Sequence, residues 1–153
     1  MVIRESLVEK YPEIETAPST VIFPIHWGDM DAAQHVNNIR YLRWAETARL
    51  EFFKEIGMDT SFSGSVGPIL GWIDAKYIRP VTYPDTILIT TEVKEIQSDR
   101  VLLTSRIYSG NQVHIAAISH QEIIPYDYVQ LKKVEIPNTW IAGIRRIQPD
   151  IVS

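Results

Sequence analysis

One stretch constrains the fold more than any other: Trp27 to Gly57, WGDMDAAQHVNNIRYLRWAETARLEFFKEIG. It reads as a strand end, a polar loop with two aspartates, and then a long apolar helix. From Asn38 to Ile56 the residues Tyr41, Ala45, Ala48, Phe52 and Ile56 recur at three- and four-residue steps, the periodicity of a helix face. Ile39, Leu42, Trp44, Leu50 and Phe53 widen that stripe until little polar face remains, so the helix is expected to be buried nearly all round. Asn37 and Asn38 are N-cap types and Gly57 suits the position just past a C-terminus, so both ends are marked. At 1.5 Å per residue the run is about 28 Å long. The rest of the chain must wrap it.

Composition narrows what the wrapping serves. The chain has 153 residues, 45% hydrophobic and 22% charged, which suits one globular domain over 1–153. A net charge of −4 argues against nucleic-acid binding by broad phosphate neutralisation. Without cysteine there is no disulfide framework, thiolate nucleophile or cysteine metal site. The first fifteen residues carry scattered charges and no apolar h-region, and no apolar run approaches the ~18 residues of a membrane span. The expectation is a soluble cytoplasmic protein that uses no membrane.

Along the chain, residues 1–18 read as a polar arm, with a short helical turn from Ser6 to Tyr11. Thr20–Trp27 alternates as a strand with Val21, Phe23, Ile25 and Trp27 on one face, and Pro24 suggests an edge or a bulge. After the helix, Asp59–Gly67 is a Ser- and Gly-rich loop. Four strand-like segments follow, Ile69–Arg79, Thr86–Ile96, Val101–Tyr108 and Gln112–Ile124, and their short turns predict an antiparallel meander. Pro137 and Asn138 open a short C-terminal helix, Thr139–Ile147. A single curved sheet around one long helix satisfies the burial demand of both, an α+β arrangement.

This order, with Trp27–Arg49, resembles the hotdog fold and, more narrowly, the 4-hydroxybenzoyl-CoA-type acyl-CoA thioesterases. The matching residues are Asp29-Met30-Asp31-Ala32-Ala33-Gln34-His35-Val36-Asn37-Asn38, then Tyr41, Arg43, Trp44, Glu46 and Arg49. Arg79-Pro80-Val81 and Tyr83-Pro84-Asp85 are also similar to the family. The resemblance spans roughly residues 20–125. Gln34 departs from it, since many members carry glycine there, and a shifted loop path is the expectation.

Thioester hydrolysis needs a group that attacks or activates water, a donor for the oxyanion and room for the acyl group. A helix N-terminus supplies donors, because its first N–H groups lack intrahelical partners. The helix starts near Asn38, so chain geometry places Asp31 close to such a site. The resemblance implies that Asp31 is the catalytic carboxylate, as general base or as nucleophile, and that the backbone N–H near Asn38 polarises the carbonyl. Asp29 is expected to brace the loop by accepting backbone N–H bonds. His35 is a candidate to orient Asp31 or a water, with Asn37 or Asn38 assisting. His26, Asp29, Asp31 and His35 match no familiar metal-ligand spacing, so no metal is expected.

Coenzyme A would arrive as part of the substrate, with no separate cofactor. Candidates for its phosphates are Lys76, Arg79, Arg100, Arg106, Lys132-Lys133 and Arg145-Arg146. The resemblance also implies a homodimer, possible tetramers, and active sites at the subunit interface. Coenzyme A and an acyl-carrier protein both remain open as carriers. Two other readings share the fold: a dehydratase or hydratase of acyl thioesters, and a binder of acyl thioesters without turnover.

Overall fold

The computed structural model describes residues 2–61 and 63–151; Met1, Phe62, Val152 and Ser153 lie outside that description. In chain order the elements are α1 (Val2–Lys10), β1 (Ser19–Pro24), α2 (Asn38–Glu55), β2 (Val66–Ile73), β3 (Lys76–Tyr77), β4 (Thr86–Ile96), β5 (Val101–Ser109), β6 (Ile115–Asp127), β7 (Lys132–Lys133) and α3 (Asn138–Ile147).

The central helix begins and ends where its capping residues lie. The Asn37 side chain accepts the Ile39 N–H at 2.9 Å, and Gly57 sits at φ +78°, a conformation that costs glycine little. Tyr41, Trp44, Ala45, Ala48, Phe52 and Phe53 face the sheet and are buried. Burial is one-sided, however. Ile39 is 61% exposed, Leu50 is 37% exposed and Arg43 and Thr47 are exposed, so the expectation of burial all round is corrected to a helix with one open face. One sheet can cover only one side of a helix.

The sheet is antiparallel, in the order β1-β4-β5-β6-β2, with β3 and β7 also paired to β6. It curls over α2 as a hotdog fold. The strands β4, β5 and β6 form the predicted meander, but the first of the four expected strands does not join it in sequence. The predicted Ile69–Arg79 divides into β2 and β3, and both pair with β6 at the far edge. A register shift between Leu70 and Trp72 interrupts β2 at Gly71, where an added β-carbon would overlap the Ile124 side chain.

β1 stops at Pro24, and Trp27 is not on its inner face. It belongs to a 3-10 turn, Trp27–Asp29, and stands 72% exposed.

The polar-arm expectation is also corrected. α1 and a 3-10 turn at Pro12–Ile14 bury Leu7, Tyr11 and Ile14 against Leu88 and Tyr108 on the outer face of the sheet. Tyr11 Oη donates to the Gln112 carbonyl at 2.8 Å and the His114 carbonyl at 3.1 Å. Alternating strands present apolar side chains to both faces here, and the Leu7–Tyr11–Ile14 spacing supplies the cover.

Between sheet and α2 the core has two apolar clusters. One holds Tyr41, Trp44 and Ala48 near the start of α2; the other holds Phe52, Phe53 and Ile56 near its end. Between them runs a buried hydrogen-bonded belt: Arg49 donates to Gln121 Oε1, Gln121 Nε2 donates to Ser105 Oγ at 3.1 Å, and Ser105 meets Thr91 Oγ1 at 3.0 Å. Burial pushes the Arg49 guanidinium below its ordinary pKa.

α3 seals the far end with Trp140 and Ile144. It approaches so closely that a β-carbon on Gly143 would overlap the Ile56 carbonyl. Gln148 completes the seal by bonding the Val93 N–H at 2.9 Å and the Val93 carbonyl at 2.7 Å.

Candidate active site

The loop between β1 and α2 is held by its own polar groups. Asp29 is buried; its carboxylate accepts the His26 N–H at 2.9 Å and pairs with Arg40 Nε at 3.2 Å. Its carbonyl accepts the Asn37 N–H at 2.9 Å. These contacts tie the loop's entry to the first turn of α2.

Asp31 sits at the exposed outer bend. Its N–H donates to the His35 carbonyl at 3.0 Å, and its own carbonyl accepts the Gln34 N–H at 2.9 Å. Each carboxylate oxygen is oriented by a donor: Oδ1 accepts the Ala33 N–H at 2.9 Å, and Oδ2 accepts Asn37 Nδ2 at 3.1 Å. Gln34 lies at φ +63°, the left-handed region that glycine enters most cheaply. A glutamine at this bend therefore carries backbone strain.

Asn37 has two tasks. Its Oδ1 caps α2 through the Ile39 N–H, while its Nδ2 holds Asp31, so one side chain joins the carboxylate to the helix N-terminus. The Asn38 N–H belongs to the first turn and has no intrahelical partner by helix geometry. His35 is exposed and enters the network through its backbone carbonyl. All five residues singled out in the sequence, Asp29, Asp31, His35, Asn37 and Asn38, therefore converge on one loop and helix start.

Three neighbours were not singled out as site residues. Tyr77 of β3 donates its Oη to the Asn38 carbonyl at 3.1 Å, and its ring meets Tyr41 edge-on with centroids 5.1 Å apart. Trp27 and Tyr83, with Met30, Asp31 and Gln34, line an open hollow of about 740 Å³ beside the carboxylate. Tyr83 and Trp27 lay within stretches similar to the family, but for Tyr77 the sequence offered only its aromatic type. Exposure is a tertiary property, and it is what distinguishes them from core aromatics.

The basic candidates separate. Arg100 is paired with Asp99 and Glu122 at 2.9 Å, Arg106 with Glu92, and Arg146 bonds the Glu55 carbonyl. Lys76 and Arg79 lie in and just after β3, which Tyr77 anchors to the start of α2, and among the described residues they form no ion pair. Among the described residues, no group of three or more His, Asp or Glu side chains is placed to hold a metal ion. No helix among them is long and apolar enough to cross a membrane.

No curated protein matches the chain. Solved structures do. A putative thioesterase from Pseudomonas aeruginosa is 24% identical, with a TM-score of 0.76 over 84% of this chain and 98% of that one. A DHNA-CoA thioesterase from Staphylococcus aureus is 16% identical, with a TM-score of 0.76 over 86% and 91%. A thioesterase from Thermus thermophilus, solved with coenzyme A and zinc, is 19% identical, with a TM-score of 0.79 over 90% and 99%. At these identities the likeness establishes the fold. The family model of the thioesterase-like superfamily matches residues 25–144, which include the aspartate loop, α2 and the whole meander. The chain belongs to the thioesterase-like superfamily, thioester hydrolases built on the hotdog fold.

Proposed function

We propose that the protein hydrolyses an acyl-CoA to a free carboxylic acid and coenzyme A, with Asp31 as the catalytic carboxylate. The observation that carries this is the double role of Asn37, which holds Asp31 Oδ2 at 3.1 Å while capping the helix whose N-terminus would bind the oxyanion. The thioester carbonyl oxygen receives the Asn38 N–H and the positive end of the helix dipole. Asp31 then either takes a proton from the attacking water or attacks the carbonyl itself. In the first route the tetrahedral intermediate expels the CoA thiolate directly. In the second, thiolate departure leaves a mixed anhydride that water hydrolyses. Asp29 braces the loop, and His35 orients the Asp31 main chain through its carbonyl. Lys76 and Arg79, which form no ion pair among the described residues and lie in and just after the strand that Tyr77 ties to the start of α2, are the cations assigned to the CoA phosphates. No cofactor takes part beyond the coenzyme A of the substrate, and the setting is cytoplasmic.

The working unit in this reading is a homodimer. Edge strand β2 exposes Leu70 and Trp72, and the open face of α2 exposes Ile39 and Leu50, an apolar pair of surfaces suited to a second copy. A tetramer would be a dimer of such dimers.

Free-thiol release from a panel of aromatic and straight-chain acyl-CoAs tests the reading. The wild type is expected to turn over at least one member, with Asp31→Asn slower by about 10²-fold or more. No release from any member, or an Asp31→Asn variant as fast as the wild type, would overturn it.

A further inference from the structure

The Asp31 loop rests on a segment that no strand holds. Residues 80–85 run between β3 and β4, and Pro80 and Pro84 have no N–H to give to a ladder. Yet this segment grips the loop on both sides. The Asp85 carbonyl accepts the Ile25 N–H at 2.9 Å, just before the loop, and the Val81 carbonyl accepts the Val36 N–H at 2.8 Å, just after Asp31 and His35. Between those points the Tyr83 N–H meets Met30 Sδ at 3.5 Å, one residue from Asp31. Where residues 80–85 sit therefore sets where Asp31 sits.

Those residues are themselves held from outside. Burial of Val81 among Tyr41, Trp44 and Ile107 fixes the middle of the segment. Its ends are clasped by side-chain amides on the tip of the β5–β6 hairpin. Gln112 Nε2 donates to the Pro80 carbonyl at 2.6 Å, and Asn111 Nδ2 donates to the Pro84 carbonyl at 2.7 Å. The Asp85 carboxylate also accepts the Asn111 N–H at 3.1 Å and the Ser109 hydroxyl.

The clasp has a fixed base. β6 begins only at Ile115, so residues 112–114, read in the sequence as strand, stay out of the ladder and turn toward Pro80. From the other side α1 and Tyr11 secure the tip: Tyr11 Oη bonds the Gln112 and His114 carbonyls, and Lys10 Nζ bonds the Gly110 carbonyl.

We propose that Gln112 and Asn111 are positioning residues for the hydrolysis: their amides hold residues 80–85, which hold the Asp31 loop at both of its ends. The inference rests on the thioesterase reading above. It also gives the N-terminal helix a part in turnover, through a hairpin tip some eighty residues from Asp31 in sequence. A misplaced loop spoils the attack on the carbonyl and leaves the grip on coenzyme A intact, so kcat carries the effect.

The test is thiol release from the best acyl-CoA of the panel by the full chain as wild type, Gln112→Ala, Gln112→Lys, Gln112→Glu and Asn111→Ala. Each alanine variant is expected to lower kcat about fivefold, the worth of one hydrogen bond, with KM within about twofold of the wild type. Gln112→Lys still offers an N–H to Pro80 and should recover most of the rate, whereas Gln112→Glu, of like length but without a donor, should not. Starting from Asp31→Asn, the further change Gln112→Ala should cost less than about twofold, because the group it positions is gone. Hydrogen exchange reads the same clasp without turnover: the Val36 N–H should exchange about fivefold faster in Gln112→Ala, with the Ala48 N–H of α2 unchanged. Wild-type kcat in both alanine variants, an equal fold loss in the Asp31→Asn background, or a Val36 N–H as protected as before would overturn the proposal while leaving the thioesterase reading standing. No release by the wild type from any acyl-CoA would take down both.

Discussion

The two ends of α2 are made by different physics. At the N-terminus, Asn37, Asp29 and Asp31 hold an exposed loop by hydrogen bonds, and almost nothing apolar covers it. At the C-terminus, Phe52, Phe53, Ile56, Trp140 and Ile144 close on one another with scarcely a water's volume left over. Oriented polar bonds hold the exposed Asp31 carboxylate beside the first turn of α2, where the Asn38 N–H has no intrahelical partner. Dense apolar packing holds the helix still. The helix thus spans from a sealed anchor to an open working end, and substitutions should separate the two.

The largest effect belongs to the sealed end. Trp140→Ala leaves a large cavity among Phe52, Ile56 and Met58 and is expected to cost about 3–5 kcal/mol of stability, read as a lowered urea midpoint. Thioester turnover at a temperature where the variant stays folded should change little. A similar loss of activity would mean that the two ends are coupled.

At the open end, Asp31→Asn should do the reverse. Turnover falls about 10²-fold, equivalent to about 2.7 kcal/mol in the barrier, with Tm nearly unchanged because the side chain is exposed. A Tm drop of many degrees would recast Asp31 as a structural residue.

Asn37→Ala stands between the ends, since it removes both the cap and the Asp31 contact. Stability should fall by about 1 kcal/mol and turnover by about tenfold. Asn37→Asp keeps a capping oxygen but loses the donor to Asp31. It should therefore recover the stability and not the rate, a split measurable by pairing melts with kinetics.

The smallest effect is at the bend. Gln34 sits at φ +63°, and Gln34→Gly removes the left-handed penalty of about 1–2 kcal/mol while adding about 0.5–1 kcal/mol of chain entropy cost. The net expectation is a gain of between zero and about 1.5 kcal/mol. A destabilised glycine variant would show that the Gln34 side chain makes a contribution of its own.

Much of this was legible in the chain. The span of α2, both its caps, β4 residue for residue and the start of β5 all follow from apolar spacing and turn residues, because neighbours a few positions apart determine them. The Asp29–Asn38 loop became a site candidate only through its resemblance to the thioesterase family; what is local in it is the hydrogen bonding, since Asp31 meets Ala33, His35 and Asn37 within six residues.

Other features depend on partners distant in sequence. Spacing cannot say which edge of the sheet β2 will take, and pairing with β6 rather than β4 is decided by the total fit of the sheet. Leu7, Tyr11 and Ile14 are a stripe without a visible target until Leu88 and Tyr108 emerge on the outer face some eighty to a hundred residues later. Trp27 and Trp44 are the same residue type, yet one stands in solvent beside Asp31 and the other is buried under the helix. Local spacing determined the central helix, the strand β4 and the hydrogen bonds within the loop. Only the tertiary structure decided which faces were covered, because burial is a property of surfaces that meet and not of the segments that carry them.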